Sequence, residues 1–259
     1  MAVLRVDSSI QGTRSSSSAL ADLVMEAVEA RLPELPVVRR HLGRQPLPAD
    51  AWPTAVGAAF VAEDQRTPEQ REASSLAQSI AAELRDAEAA VLALPLYNWG
   101  VSQHVKTWID LAILGGGPGA RLLEGKPVVL LVTRGGGYGP GTPKEGWDHA
   151  TPYLRRVLAD VWGADLTVVE RELTLVGVNP AMDGLKDLAA SAKTIAEDEA
   201  RAAGRALVVH AQHRQLVISD NCFRQASAAF IPPEHDVAAR IDCDSGLSTR
   251  GGMEERMRF

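Results

Sequence analysis

Two aromatic rings bracket a carboxamide at Tyr97-Asn98-Trp99, and Gly100 closes the group. Such a set offers flat apolar faces beside one amide that can donate and accept, which is chemistry suited to a planar aromatic ligand. The same rings would also serve to pin a helix to a sheet, and residue types alone leave both readings open. A second group is the run Ser15-Ser16-Ser17-Ser18, a few residues after Asp7-Ser8-Ser9. Serine is a preferred helix N-cap, and a helix start adds unpaired N–H groups and a partial positive charge, so a phosphate fits there. A cap followed by a solvated run is the plainer reading. The order of residues is neither a Walker loop nor Gly-x-Gly-x-x-Gly. The third group is Thr133-Arg134-Gly135-Gly136-Gly137, where glycine lets backbone approach a ligand closely. A flexible surface loop would have the same composition. His149 and Tyr153 follow as side chains able to donate a proton or hold an acceptor.

Each group follows a predicted strand. Ala2 to Val6 precedes the serines, and the apolar run from Ala89 to Leu94 leads to Pro95, Leu96 and the aromatic loop. Continuous apolar runs fit strands buried on both faces, and Pro95 cannot donate to a ladder, so it ends its strand. Lys126 to Thr133 is a third such strand, Leu35 to Leu42 a fourth and Leu166 to Val169 a fifth. Helices are expected from the serines to about Leu32, from Thr67-Pro68 to about Asp86, over Val101 to Leu114, over Trp147 to Gly163, and from Asp183 to about Val209. Gln45 to Pro68 has no clear period and is expected to be a long loop. Alternation of strand and helix implies a parallel, doubly wound α/β sheet with right-handed crossovers. Five strands favour the flavodoxin-like order 2-1-3-4-5, a three-layer sandwich whose ligand sits at the carboxyl edge, where strands 1 and 3 meet. Serine, aromatic and glycine loops then converge on one edge. A phosphate nest, an aromatic clamp and a glycine floor together describe a flavin mononucleotide site.

Composition narrows the classes. Net charge of −6 gives no basic footprint for nucleic acid. No apolar run approaches the roughly 20 residues of a bilayer span, and no secretory leader is evident, so a cytoplasmic protein is expected. Cys222 and Cys243 both fall near the end, which leaves no thiolate or Cys-bound metal for the main fold. Residues 1–211 are read as one domain. Residues 212–259 lack a sustained period and are expected to be a disordered tail, an arm reaching a partner, or an artefact of expression or reading frame.

Pro95-Leu96-Tyr97-Asn98-Trp99 followed by Lys106-Thr107-Trp108-Ile109-Asp110 resembles the signature of the FMN-dependent NADH:quinone oxidoreductases, also called NADH-azoreductases. Ser8-Ser9 with Ser15-Ser16-Ser17 resembles that family's phosphate loop, Thr133-Arg134-Gly135-Gly136 its Ser/Thr-Arg-Gly-Gly loop, and Thr151-Pro152-Tyr153-Leu154 a further block. The resemblance covers about residues 2–211. It implies a homodimer with non-covalent FMN at each interface, the Gln45–Pro68 loop covering the partner's site. Ser9, Ser15, Ser16 and Ser17 would hold the phosphate. Pro95, Leu96, Tyr97, Asn98 and Trp99 would line the ring, and Thr133, Arg134, Gly135 and Gly136 would meet its polar edge, with Asn98, Tyr153 and His149 as catalytic candidates. NADH or NADPH would reduce FMN at N5, and a quinone or azo compound, including a biosynthetic aromatic quinone, would then take the electrons. Arg14, Arg121 and Arg134 are candidate contacts for a 2′-phosphate. Gly115 to Gly125 departs from the family in being short and free of aromatic residues. A flavin-binding carrier without NAD(P)H turnover shares these features. A hydrolase using Ser8 would need a late Asp-x-x-His dyad, which is not evident.

Overall fold

The computed structural model describes the backbone of residues 2–229 and side chains as far as His210. Five parallel strands form one sheet: β1 (Val3–Asp7), β2 (Val37–His41), β3 (Ala89–Ala93), β4 (Pro127–Thr133) and β5 (Asp165–Arg171). Their order is 2-1-3-4-5, as expected of a flavodoxin-like sheet. Every residue of β1, β3 and β4 is buried, which explains their unbroken apolar sequences. β2 and β5 are the edges: no residue of β2 is fully buried, and β5 alternates between exposed and half-buried positions over Asp165 to Val168.

Helices cover both faces. α1 (Ser16–Glu29) and the last helix, α6 (Lys186–Ala229), pack Leu20, Val24, Ala196 and Ala200 on the side of Val3, Val91 and Leu131. Backbones approach closely there, because a Cβ on Gly204 would lie 2.5 Å from the Val24 carbonyl oxygen. The opposite face carries α2 (Ala51–Ala58), α3 (Pro68–Asp86), α4 (Gln103–Gly116) and α5 (Thr151–Arg155). Its core joins Leu92 and Leu130 to Ile80, Leu84, Trp108 and Trp162. Trp108 and Trp162 meet edge to face at 5.8 Å.

Several elements differ from expectation. The segment from Gln45 to Pro68 is not structureless: it holds α2 and a 3₁₀ turn over Glu63–Gln65. Ala51, Ala55 and Ala58 form a small buried face, a weak signal in sequence, and Pro53 falls in the first turn, where its missing N–H costs nothing. Helix does not begin at Trp147. The Asp148 carboxylate accepts from the N–H groups of Ala150 and Thr151, so the aspartate caps α5 instead of lying inside it. After Arg155 the chain continues as a π-helical turn over Arg156–Val161. α6 begins at Lys186 after a 3₁₀ stretch over Pro180–Leu185 and runs beyond Val209. The chain divides at Val217: residues 1–217 form the unit that carries the sheet, and of the second unit only helical backbone through Ala229 is described. The expectations for residues 230–259, Cys243 among them, lie outside the described residues. Among the described residues no helix is long and apolar enough to cross a membrane.

Strand pairing continues past the strand ends. Ser8 N–H donates to the Ala93 carbonyl, Leu94 N–H to Leu131, and Leu96 N–H to Thr133. The loops therefore leave β1, β3 and β4 in register, and their first residues stand side by side.

Candidate active site

Tyr97 and Gly100 exchange both backbone hydrogen bonds, at 3.1 and 3.0 Å. Asn98 and Trp99 between them have φ of 47° and 65°. Two positive central φ values make a type I′ turn, for which Asn-Gly is the usual pair. Asparagine suits the first position. Tryptophan in the second is held in a conformation costing on the order of 1 kcal/mol or more. The turn leaves the Trp99 indole partly exposed, with the Trp147 ring against it edge-on at 6.1 Å. His149 N–H donates to the Trp99 carbonyl and secures the turn from the far side.

The Tyr97 hydroxyl reaches the serine loop. It accepts from Ile10 N–H at 3.2 Å and lies 3.3 Å from Ser9 Oγ, which in turn accepts from Gln11 N–H. Ser15 is the N-cap of α1, its Oγ accepting from Ser18 N–H. Ser16 lines the same cleft as Ser9. Ser15 and Ser17 do not: both are buried and bond one another at 3.2 Å, so their hydroxyls are used inside the helix start. Ser8 is fully buried, with Oγ directed at the Ala93 carbonyl. It is not placed as an exposed nucleophile.

The glycine stretch is clamped, not loose. Thr174 N–H donates to the Arg134 carbonyl, Leu175 N–H to Gly135, and Leu173 N–H to Gly136. A Cβ on Gly135 would stand 2.7 Å from Leu175 Cδ1, so glycine here permits close packing on the segment after β5. The Arg134 side chain corrects the expectation of a ligand contact. Its buried guanidinium donates to Asp148 Oδ2 at 2.7 Å, Glu170 Oε2 at 2.9 Å and Thr151 Oγ1 at 3.1 Å, with Glu172 at 3.4 Å. Burial pushes the Asp148 carboxyl up, but Thr151 and Arg134 outweigh it and hold it below the usual carboxylate range.

These loops enclose a cleft of about 450 Å³. Ser9 and Ser16 lie on its walls with Pro95, Leu96, Tyr97, Asn98, Trp99, Thr133, Gly135 and Gly136. Aromatic walls, hydroxyls and the first N–H groups of α1 can take a flat ring and a phosphate together. Tyr153 is not at the cleft. It packs toward α4 near Lys106 and Asp110, and burial raises its pKa, so it is a poor acid. The His149 side chain is exposed and does not line the cleft either.

Arg14, one of the arginines named as a candidate phosphate contact, lines the cleft, and so do Gln11, Lys144, Thr174, Leu175 and Val178, which the sequence does not single out. The carboxyl-edge rule applied to β5 would have brought in the last three. Tyr138 lines it too, its phenol kept neutral by burial and by the neighbouring Asp148 and Glu172 carboxylates against the opposing Arg134. A larger cavity of about 610 Å³ lies between α1 and β2. It has no aromatic wall, and its Arg5 is already paired with Asp7 and Asp22. Among the described residues no group of three or more His, Cys, Asp or Glu could hold a metal ion.

The family model for the flavodoxin-like fold matches residues 1–199. An FMN-dependent NADH:quinone oxidoreductase of Frankia alni is 38% identical over 205 residues, covering 77% of this chain and 97% of that protein. One from Streptomyces avermitilis is 34% identical over 212 residues, covering 79% and 96%. Among solved structures, an azoreductase from Bacillus anthracis superposes with a TM-score of 0.64 at 22% identity, over 80% of this chain and all of that one; this likeness speaks to the fold.

Proposed function

The chain belongs to the flavodoxin-like family of FMN-dependent NADH:quinone oxidoreductases, and on that premise we propose that it carries electron pairs from NADH to a quinone or azo acceptor by a ping-pong route. The observation that carries this reading is the meeting of three loops, after β1, β3 and β4, in one cleft with an aromatic wall, a helix N-terminus and a glycine floor. FMN, when bound, supplies the hydride chemistry at N5. Quinone, NADH and one proton give hydroquinone and NAD⁺; cleaving an azo compound to two amines takes two such rounds.

The residues present fit that group. Ser9, Ser16 and the leading N–H groups of α1 would hold the phosphate, with Arg14 beside them. Leu96, Tyr97 and Trp99 would wall the ring. Asn98 and the backbone N–H groups of Gly135 and Gly136, which line the cleft, would serve its polar edge, where donors favour negative charge. The Tyr138 phenol, neutral and at the cleft, donates a hydrogen bond to an acceptor oxygen in place of Tyr153 and His149. We further infer a homodimer in which the segment bearing exposed Trp52 and Phe60 covers the partner's cleft.

An absorption spectrum after loading with FMN and desalting tests the reading. Flavin bands that persist, bleach with anaerobic NADH and return with a quinone are expected. Bands that NADH cannot bleach would favour an electron carrier, and absence of bands would remove the flavin site. Trp99→Gly separates strain from function. Relief of the left-handed tryptophan and loss of the Trp147 contact, each about 1 kcal/mol, roughly cancel. Urea unfolding is expected to be little changed while the apo variant binds FMN about tenfold more weakly, roughly 1.4 kcal/mol. Equal FMN affinity would show that Trp99 does not touch the ring.

A further inference from the structure

We propose that Lys144 makes this site select acceptors bearing an anionic group on the ring, such as a sulfonate or carboxylate, an inference that rests on the oxidoreductase reading above. Two charged side chains, Arg14 and Lys144, line the cleft among the described residues, and both are cations. Arg14 ends the 3₁₀ turn of the serine loop, at the end suited to the FMN phosphate. Lys144 belongs to the glycine side. Its Nζ lies 5.4 Å from the centroid of the Tyr138 ring, and 3.5 Å from where a Cβ on Gly136 would stand.

Every carboxylate on the surrounding loop is otherwise engaged. Asp148 and Glu172 bind Arg134, and Glu145 Oε2 accepts from Gly141 N–H at 2.7 Å. None forms an ion pair with Lys144 in the structure. Lys144 is half-buried and its ammonium lies beside an aromatic face, where an anion interacts more strongly than in bulk water. With the cofactor's phosphate held at Arg14 and α1, the Lys144 charge is left for the second reactant. Because it sits against Tyr138 and Gly136, the anion it meets is one attached directly to a flat ring.

The test compares the holoenzyme with its Lys144→Gln and Lys144→Arg variants. The acceptors are 1,4-naphthoquinone and its 2-sulfonate, and anthraquinone-2-sulfonate serves as an equilibrium binding probe. In Lys144→Gln the ratio of kcat/KM for the sulfonate to that for the neutral quinone is expected to fall about tenfold. Binding of the probe is expected to weaken by about the same factor, and Lys144→Arg to restore most of both. Raised ionic strength should narrow the same ratio in the unsubstituted enzyme. An unchanged ratio would overturn the proposal, as would equal losses with both acceptors. So would a loss confined to NADH in the bleaching step, which would assign Lys144 to the donor. If the protein retains no FMN, the flavin reading fails by itself, and the binding probe still judges Lys144.

Discussion

Arg134→Met is expected to cost about 3 kcal/mol in urea unfolding, because removing one member of a buried ion cluster strands the others. Asp148 and Glu172 are largely buried and Glu170 is part-exposed, so the uncompensated charge falls mostly on the first two. The cluster joins the end of β4 to the end of β5 and to the cap of α5, so the damage spreads through the glycine floor. Arg134→Lys should recover less than half, since a point charge cannot make the forked set of bonds. The pH dependence has a definite sign. Burial opposes ionisation of Asp148, but Thr151 and Arg134 prevail and depress its folded pKa. Its contribution is therefore full above the unfolded value of about 3.9 and is lost as pH falls through the folded value. The gap between the two proteins should narrow in that acid range. A loss under about 1 kcal/mol at pH 7 would mean that solvent already satisfies these carboxylates.

Gly43→Ala is expected to weaken FMN binding more than tenfold, in excess of about 1.4 kcal/mol. A Cβ there would stand 2.4 Å from the Ser9 carbonyl oxygen and 3.0 Å from that of Ser8. Both are backbone atoms, so the serine loop itself must shift, and overpacking of this kind costs about 1–3 kcal/mol. The loop has little room to retreat, because the Tyr97 hydroxyl binds it from the other side. Titration of the apo variant with FMN measures the effect. An unchanged dissociation constant would show that Ser9 does not help to seat the phosphate.

Much of the framework was legible because burial left a direct trace. β1, β3 and β4 are apolar on both faces, and Thr67 with Gln70 forms the capping box that opens α3. The three site loops could be found from strand order alone. What was hidden depended on distance in sequence. Arg134 reads as a ligand contact until Glu170 and Glu172, 36 and 38 residues away, are seen to hold it. Asp148 reads as helix interior until its carboxylate is seen capping α5. Ser15 and Ser17 look equivalent to Ser16, and only the helix phase turns them inward. Thr174, Leu175 and Val178 have no chemistry to announce them.

The hydroxyl of Tyr97 has one more effect. It belongs to the aromatic loop after β3, yet it grips the serine loop after β1. The span between those two ends is thus set by the protein and not by whatever occupies it. Such a cleft acts as a gauge of length: a ligand is measured between two fixed jaws, and one whose anion is too near or too far must break the Tyr97 link to enter.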